Sequence, residues 1–240
     1  MNGVDAQPYT PAIHVVDFVA GAQTATGIAV VIDVFRAFSA AAYAFAGGAR
    51  SIIPVAEVEA ALLLKQQHGD FLLVGERYGR PLPGFDHGNS PTELQAAPLQ
   101  GRTLIHTTHA GTQGLVQVSA AAQEVITGAL VNAAAIVRYI RQHRFSSVTL
   151  VRMGRQASER CAEDDACAEL IAERLRGSEP NVRDMTMQLR ASPSAQRFFD
   201  PAQSWLPPTD FDLCTRVDCF DFVLRLDRSS TPCQLQQVTA

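Results

Sequence analysis

Short β-branched apolar runs alternate along the chain with segments whose apolar residues recur at helical spacing. IHVVDF and GIAVVIDV read as strands, and the second is apolar enough to be buried on both faces. SAAAYAFAG follows as a helix closed by Gly47 and Gly48. RSIIPV is then a strand, EVEAALLLKQQ a helix that stops near Gly69, and FLLVG another strand. RTLIHTT, GTQGLVQVSAA and EVITG repeat the strand–helix–strand order. NAAAIVRYIRQH is a helix, SSVTLVRM a strand, and EDDACAELIAERLRG a helix ended by Gly177. Glu76 to Pro91 is a long loop rich in Gly and Pro. Ser178 to Pro208 is irregular apart from a short helix near Ser194–Phe199, and RVDCFDFVLRLDR alternates as an antiparallel edge strand would. Strands alternating with helices predict an α/β protein, with mainly parallel sheets covered by helices. The loop before Gly101 is the expected seam between an N-terminal lobe over 1–100 and a C-terminal lobe over 101–240.

Composition narrows the class without naming a chemistry. The 240 residues are 47% hydrophobic and 18% charged, which suits one large domain or two small ones and excludes a mainly disordered chain. A net charge of −4 with a pI near 5.8 gives no global electrostatic case for nucleic acid or an acidic membrane. The five cysteines form no CxxC pair and are odd in number, as expected of reduced thiols rather than a disulfide frame or a zinc site. MNGVDAQPYT lacks a basic segment followed by an apolar one, so no signal peptide is read there. AFSAAAYAFAGGA, the longest weakly polar run, is too short to span a bilayer. A soluble cytoplasmic protein is the expectation.

Parallel α/β sheets bind ligands where strands end and helices begin, so polar residues directly after strands are the candidates. Asp33 ends GIAVVID and is followed by Arg36 and Ser39. A strand-end aspartate can hold a metal or attack phosphorus, and the arginine can grip an oxyanion; a helix cap beside a solvated arginine explains the same letters. Glu76 and Arg77 close FLLVGER, and in an extended segment one of them faces a site unless both sit in a surface turn. GFDHGNSP offers Asp86, Asn89 and Ser90 at a helix start, where exposed amides suit an anion, though its residues also suit an ordinary turn. In LIHTTHAGTQGL, Thr107, Thr108, Gly111 and Thr112 make a hydroxyl- and amide-lined junction suited to phosphate. The spacing of His106 and His109 is poor evidence for a metal site, and no P-loop or dinucleotide fingerprint occurs. Glu163, Asp164 and Asp165 head a helix, as the dipole favours, and clustered carboxylates equally suit Mg2+. Arg152 and Arg155 supply cations for a dianionic substrate, and Asn132 reads as a helix cap. Without a Ser-His-Asp order or a reactive-cysteine signature, this set fits Mg2+-assisted chemistry on a small phosphorylated anion.

VIDVFRAFSAA, GGARSIIPV, GERYGRPLPGFDHGNSP, the TT…GT turn, the Asn132 helix and the EDDACA helix follow one another in the order found in the 2-phosphosulfolactate phosphatase family. The chain resembles that family from about Val30 to Gly177 and again at FDLCTRVDCFDFVLRLD. GFDHGNSP together with VIDVFRA is the specific part. The resemblance implies two similar α/β lobes with the site between them. It also implies Mg2+-dependent release of phosphate from 2-phosphosulfolactate, giving sulfolactate on the route to coenzyme M. By motif it makes Asp33, Arg36, Glu76, Arg77, Asp86, Asn89, Ser90, Thr107, Thr108, Thr112, Glu163 and Asp164 site residues. Our role assignments on that basis put Asp33, Glu163 and Asp164 on the metal, with Glu76 or Asp86 as general base. Arg36 and Arg77 bind phosphate, sulfonate or carboxylate, with Ser39 and Gly111 beside them. The expected partner is a small phosphorylated anion, and a homodimer is compatible with this reading.

The chain departs from the family pattern at three strand-end loops. RAFSA stands for RATST, so Phe38 and Ala40 replace hydroxyls; TTHAGT stands for TTNGT; and Arg152-Met153-Gly154 stands where Cys-Ala-Gly is usual. Two other readings compete. A haloacid-dehalogenase-type phosphatase would use Asp33 as nucleophile, but it wants an aspartate two positions on, where Phe35 stands. A non-catalytic small-anion-binding protein that kept the fold is the second.

Overall fold

The computed structural model describes residues 9–240, so the start read above for a signal peptide lies outside it up to Pro8. Ten strands form one sheet: β1 (Ala12–Asp17), β2 (Gly27–Ile32), β3 (Ser51–Pro54), β4 (Leu72–Arg77), β5 (Arg80–Pro81), β6 (Thr103–Thr107), β7 (Ala122–Gly128), β8 (Ser147–Arg152), β9 (Phe222–Asp227) and β10 (Gln234–Thr239). Around it lie α1 (Phe18–Ala22), α2 (Ala37–Ala46), α3 (Val58–Gln67), α4 (Pro91–Ala96), α5 (Gly111–Gln117), α6 (Ala133–His143), α7 (Ala162–Arg176), α8 (Val182–Arg190), α9 (Pro193–Gln196) and α10 (Pro208–Cys214). Short 3-10 turns span Leu130–Asn132 and Arg197–Phe199.

The strands run in the order β1-β8-β2-β7-β9-β10-β3-β6-β4-β5. β1, β8, β2 and β7 make one parallel block, and β3, β6 and β4 a second. The β9–β10 hairpin joins them, pairing antiparallel with β7 on one side and β3 on the other. The fold is thus α/β and mostly parallel, as its run pattern predicts. The alternating RVDCFDFVLRLDR segment is antiparallel but central, because β10 covers its outer side. Each block takes strands from both sides of residue 100, so the seam expected there is no boundary between blocks.

β2 shows why the pattern works. All six of its residues are buried. Ile28, Val30 and Ile32 pack into the layer holding α6 and α7, while Ala29 and Val31 pack with α2 and α5 on the other face. Successive strand residues point to opposite faces, so a two-sided strand must be apolar throughout. The tail is more ordered than its composition suggests: α8 packs beside α7, and α9 and the turn after it reach the pocket at the carboxyl ends of the strands. There Ala195, Phe198, Leu206 and Phe211 form a small core with Phe35. All five cysteines are free thiols, and no described helix is long and apolar enough to cross a membrane.

Candidate active site

The carboxyl ends of β2 and β8 from one block, and of β4 and β6 from the other, open onto one pocket beneath α9 and the Arg197–Phe199 turn. It encloses about 740 Å³ counting its mouth, and Asp33, Glu76, Glu163 and Asp164 all line it. Four carboxylates in one pocket is an arrangement that folding alone disfavours.

Backbone amides fix three of the acids, and a hydroxyl the fourth. Asp33 Oδ1 accepts from Ala37 N–H at 3.1 Å, in the first turn of α2. Asp164 accepts from Val34 N–H at 2.9 Å through Oδ1 and from Gly154 N–H at 2.8 Å through Oδ2, which ties α7 to the ends of β2 and β8. Glu76 accepts from Gly79 N–H at 2.6 Å and His109 N–H at 2.7 Å. Glu163 accepts a hydrogen bond from the Ser194 hydroxyl on α9. Burial pushes Asp33 up to about 7, opposed by the Ala37 amide and reinforced by the Glu76 and Glu163 charges. Burial also raises Asp164, with Asp33 and Glu163 adding repulsion, and raises Glu163. Cys161 lines the same pocket, but burial and the adjacent Asp164 and Glu163 charges hold it as a thiol.

The acidic head of α7 therefore divides its labour. Glu163 and Asp164 turn inward and are buried. Asp165 turns outward to Arg152 at 3.0 Å and Arg160 at 2.9 Å, where the dipole reading suffices.

Other expected site residues sit elsewhere. Asp86 accepts from Leu73 N–H at 2.7 Å and meets Lys65 at 3.4 Å, so it braces the flank of β4 and does not line the pocket. That removes it as a general base. Arg36 does reach the pocket wall, but its guanidinium is committed to Asp210 (2.6 Å), Trp205 O (3.0 Å) and Gly79 O (2.9 Å). Arg77 donates to Glu76 O, Ala56 O and Thr107 Oγ1 rather than facing the pocket, and Thr107 itself donates to Ala56 O. Ser39 donates to Val34 O at 2.8 Å. Ser90 caps α4 and donates to Asp210 at 2.7 Å, while Thr108 and Thr112 close on each other across the start of α5. These residues hold the loops that hold the acids. Asn89 does line the pocket, its Oδ1 accepting from the neutral His106 ring at 3.0 Å. Gly111 leaves room for Asp33, since a Cβ there would stand 2.8 Å from Asp33 Oδ2. Asn132 makes no side-chain cap and donates instead to Phe222 O at 3.3 Å.

Two pocket-shaping residues escape a rule that looks only at strand ends. Asp210 lies in the first turn of α10, where an acid reads as ordinary dipole compensation, yet it is the fully buried partner of Arg36. Arg197 lies in the tail and lines the pocket directly. Of the three departures from the family pattern, Phe38, Ala40 and Met153 are buried in the core, whereas His109 and Ala110 of TTHAGT line the pocket. The His109 Nδ1 is buried there without a hydrogen-bond partner among the described residues.

Acids gathered at the strand ends of an α/β sheet, with arginines on the same wall, make this pocket the candidate site for hydrolytic chemistry. The chain belongs to the 2-phosphosulpholactate phosphatase family, a family of phosphoric monoester hydrolases, whose model it matches over residues 13–229. A Bacillus subtilis protein named "Probable 2-phosphosulfolactate phosphatase" is 30% identical over 213 residues, 88% of this chain and 92% of its own length. A protein of the same name from Caldanaerobacter subterraneus is 44% identical over 121 residues, half of each chain. Another, from Deinococcus radiodurans, is 37% identical over 149 residues, 62% of this chain and 61% of its own.

Proposed function

We propose that this chain releases phosphate from a small phosphorylated hydroxy acid, 2-phosphosulfolactate or a close relative, with Mg2+ as cofactor. The observation that carries this reading is the convergence of Asp33, Glu76, Glu163 and Asp164 on one pocket. Buried acids that repel one another and retain protons call for a cation, and their oxygens suit a hard one. Among the described residues no three His, Cys, Asp or Glu side chains are grouped to hold an ion by themselves. That fits Mg2+, which commonly takes one or two carboxylates and completes its shell from water and phosphate oxygens. Asp33 and Asp164, with Glu163 beside them, would hold it. Bound there, the ion would polarise the phosphoryl oxygens and offset charge in the transition state.

The remaining work belongs to the chain's own groups. Glu76, oriented by the Gly79 and His109 amides, receives the proton of the attacking water. Each of its oxygens keeps a lone pair beyond the amide bond it accepts. Arg36, neutralised by Asp210, positions the Gly79 turn and so positions Glu76. Phe35, Phe198 and Leu206 line the pocket beside the acids and strengthen charge interactions by displacing water.

Purified protein assayed on a panel of phosphorylated hydroxy acids should release phosphate with Mg2+ and lose activity in EDTA. Asp33→Asn, which is nearly isosteric, should lower kcat by more than about a hundredfold without lowering the melting temperature. Metal-independent turnover, or an active Asp33→Asn protein, would refute the assignment. A protein that only binds anions would instead show ligand-induced thermal stabilisation with no phosphate released.

A further inference from the structure

Most of the arginines near the site are already committed. Arg36 is held by Asp210 and two carbonyls, and Arg77 by two carbonyls and the Thr107 hydroxyl. Arg152 pairs with Asp17 at 2.9 Å and Asp165 at 3.0 Å. Two guanidiniums remain on the pocket wall: Arg197, from the 3-10 turn after α9, and Arg155, from the loop after β8. Arg155 makes one loose contact, 3.8 Å to the exposed Glu159.

Arg197 is half-buried and makes no hydrogen bond or ion pair among the described residues. Its Nη2 lies 3.0 Å from where a Cβ would stand on Gly79, so it is pressed against the turn that orients Glu76. Burial disfavours its charge, Arg155 and Arg36 repel it, and Glu163 and Glu76 offset this in part. A guanidinium cannot shed its proton to escape that environment. A half-buried cation with no acceptor from the chain has its donors open to the oxygens of an anion.

We propose that Arg197, assisted by Arg155, is a specificity residue that binds a second acidic group, sulfonate or carboxylate, on a phosphate ester whose phosphate lies against the four acids. The placement of the phosphate rests on the phosphatase reading above. A planar fork matches either oxyanion, and the weak 3.8 Å contact to Glu159 leaves Arg155 able to assist. The preferred substrates are then phosphate esters bearing at least one further acidic group.

The test compares kcat and KM of wild type, Arg197→Gln, Arg197→Lys and Arg155→Gln on three esters. These are 2-phosphosulfolactate, phospholactate, which carries only a carboxylate, and p-nitrophenyl phosphate, which carries neither group. Arg197→Gln should raise KM for the acidic esters on the order of tenfold to a hundredfold, the effect of losing a charged hydrogen bond. The selectivity for the acidic esters over p-nitrophenyl phosphate should fall by the same factor. Arg197→Lys should recover part of that loss, and Arg155→Gln should shift selectivity less, in the same direction. A loss on 2-phosphosulfolactate alone means that the sulfonate is read and a loss on both acidic esters that the carboxylate is, whereas equal losses on all three esters would overturn the proposal. Should wild type release phosphate from none of them, the phosphatase reading falls. Thermal stabilisation by sulfolactate then decides on Arg197 separately: its loss in Arg197→Gln supports the subsite, and its retention refutes it.

Discussion

A histidine buried without charge resists protonation, and the penalty falls on the folded state. His106 is 2% exposed, and burial lowers its pKa to about 4. The unfolded chain takes up this proton near pH 6.5, the fold only near 4, so stability is lost as pH falls through that window. The full difference is worth roughly 3 kcal/mol. Asp33 works in the opposite sense, because its raised pKa contributes stability that disappears as pH rises toward 7. The informative measurement is therefore a comparison. The urea midpoint of His106→Gln, which keeps a donor for Asn89, should fall less than that of wild type between pH 7 and 4. Equal slopes would mean that His106 is not the group responsible. At this scale the sequence was half legible. Asp33, Glu76, Glu163 and Asp164 follow strands or head a helix, and the rule linking strand ends to sites finds them. Asp86 and Arg77 satisfy the same rule, but a backbone amide claims one and carbonyls the other. Asp210 was invisible because its meaning depends on Arg36, which lies 174 residues earlier.

Elements decide how closely the chain can approach those carboxylates. α5 begins at Gly111, where a Cβ would meet Asp33 Oδ2 at 2.8 Å and Ala37 Cβ at 2.9 Å. The requirement is for space, since Gly111 is not among the glycines with positive φ. Gly111→Ala should displace Asp33 and lower kcat on the order of a hundredfold, the scale of an ångström's misplacement at a reacting centre. Wild-type kcat in this variant would show that α5 does not set the position of Asp33. The buried strands and the helices between them were readable because β-branched runs and helical spacing have distinct periods. α8 was missed in a polar tail, although Asn181, accepting from Arg183 and Asp184 N–H, is a cap signal that could have found it. β10 was missed because QLQQVT looks solvated; only Leu235 is buried.

At the scale of the molecule, the two parallel blocks are joined within the sheet only through the C-terminal hairpin among the described strands. β9 and β10 pair with each other over six residues, Phe222–Asp227 against Gln234–Thr239. The hairpin joins each block through a single registered pair, Ile126 with Arg225 and Leu235 with Ile52. Val223, Leu224, Leu226 and Leu235 nonetheless bury their side chains between the layers. Removing residues 222–240 should therefore split calorimetric unfolding into two transitions and abolish thermal stabilisation by sulfolactate. One wild-type-like transition would mean that the blocks cohere without the hairpin. The topology was not legible because strand order depends on contacts between distant segments, which local periodicity does not encode. The same hairpin also imposes a timetable on synthesis. β3, β4 and β6 have all left the ribosome once Thr107 emerges, and the first block is complete at Arg152, but the seam waits for Thr239. At ordinary translation rates the nascent chain carries the open edge of β3 for on the order of ten seconds before its own last strands cover it. During that interval the chain is open to edge-to-edge pairing with its neighbours on a polysome.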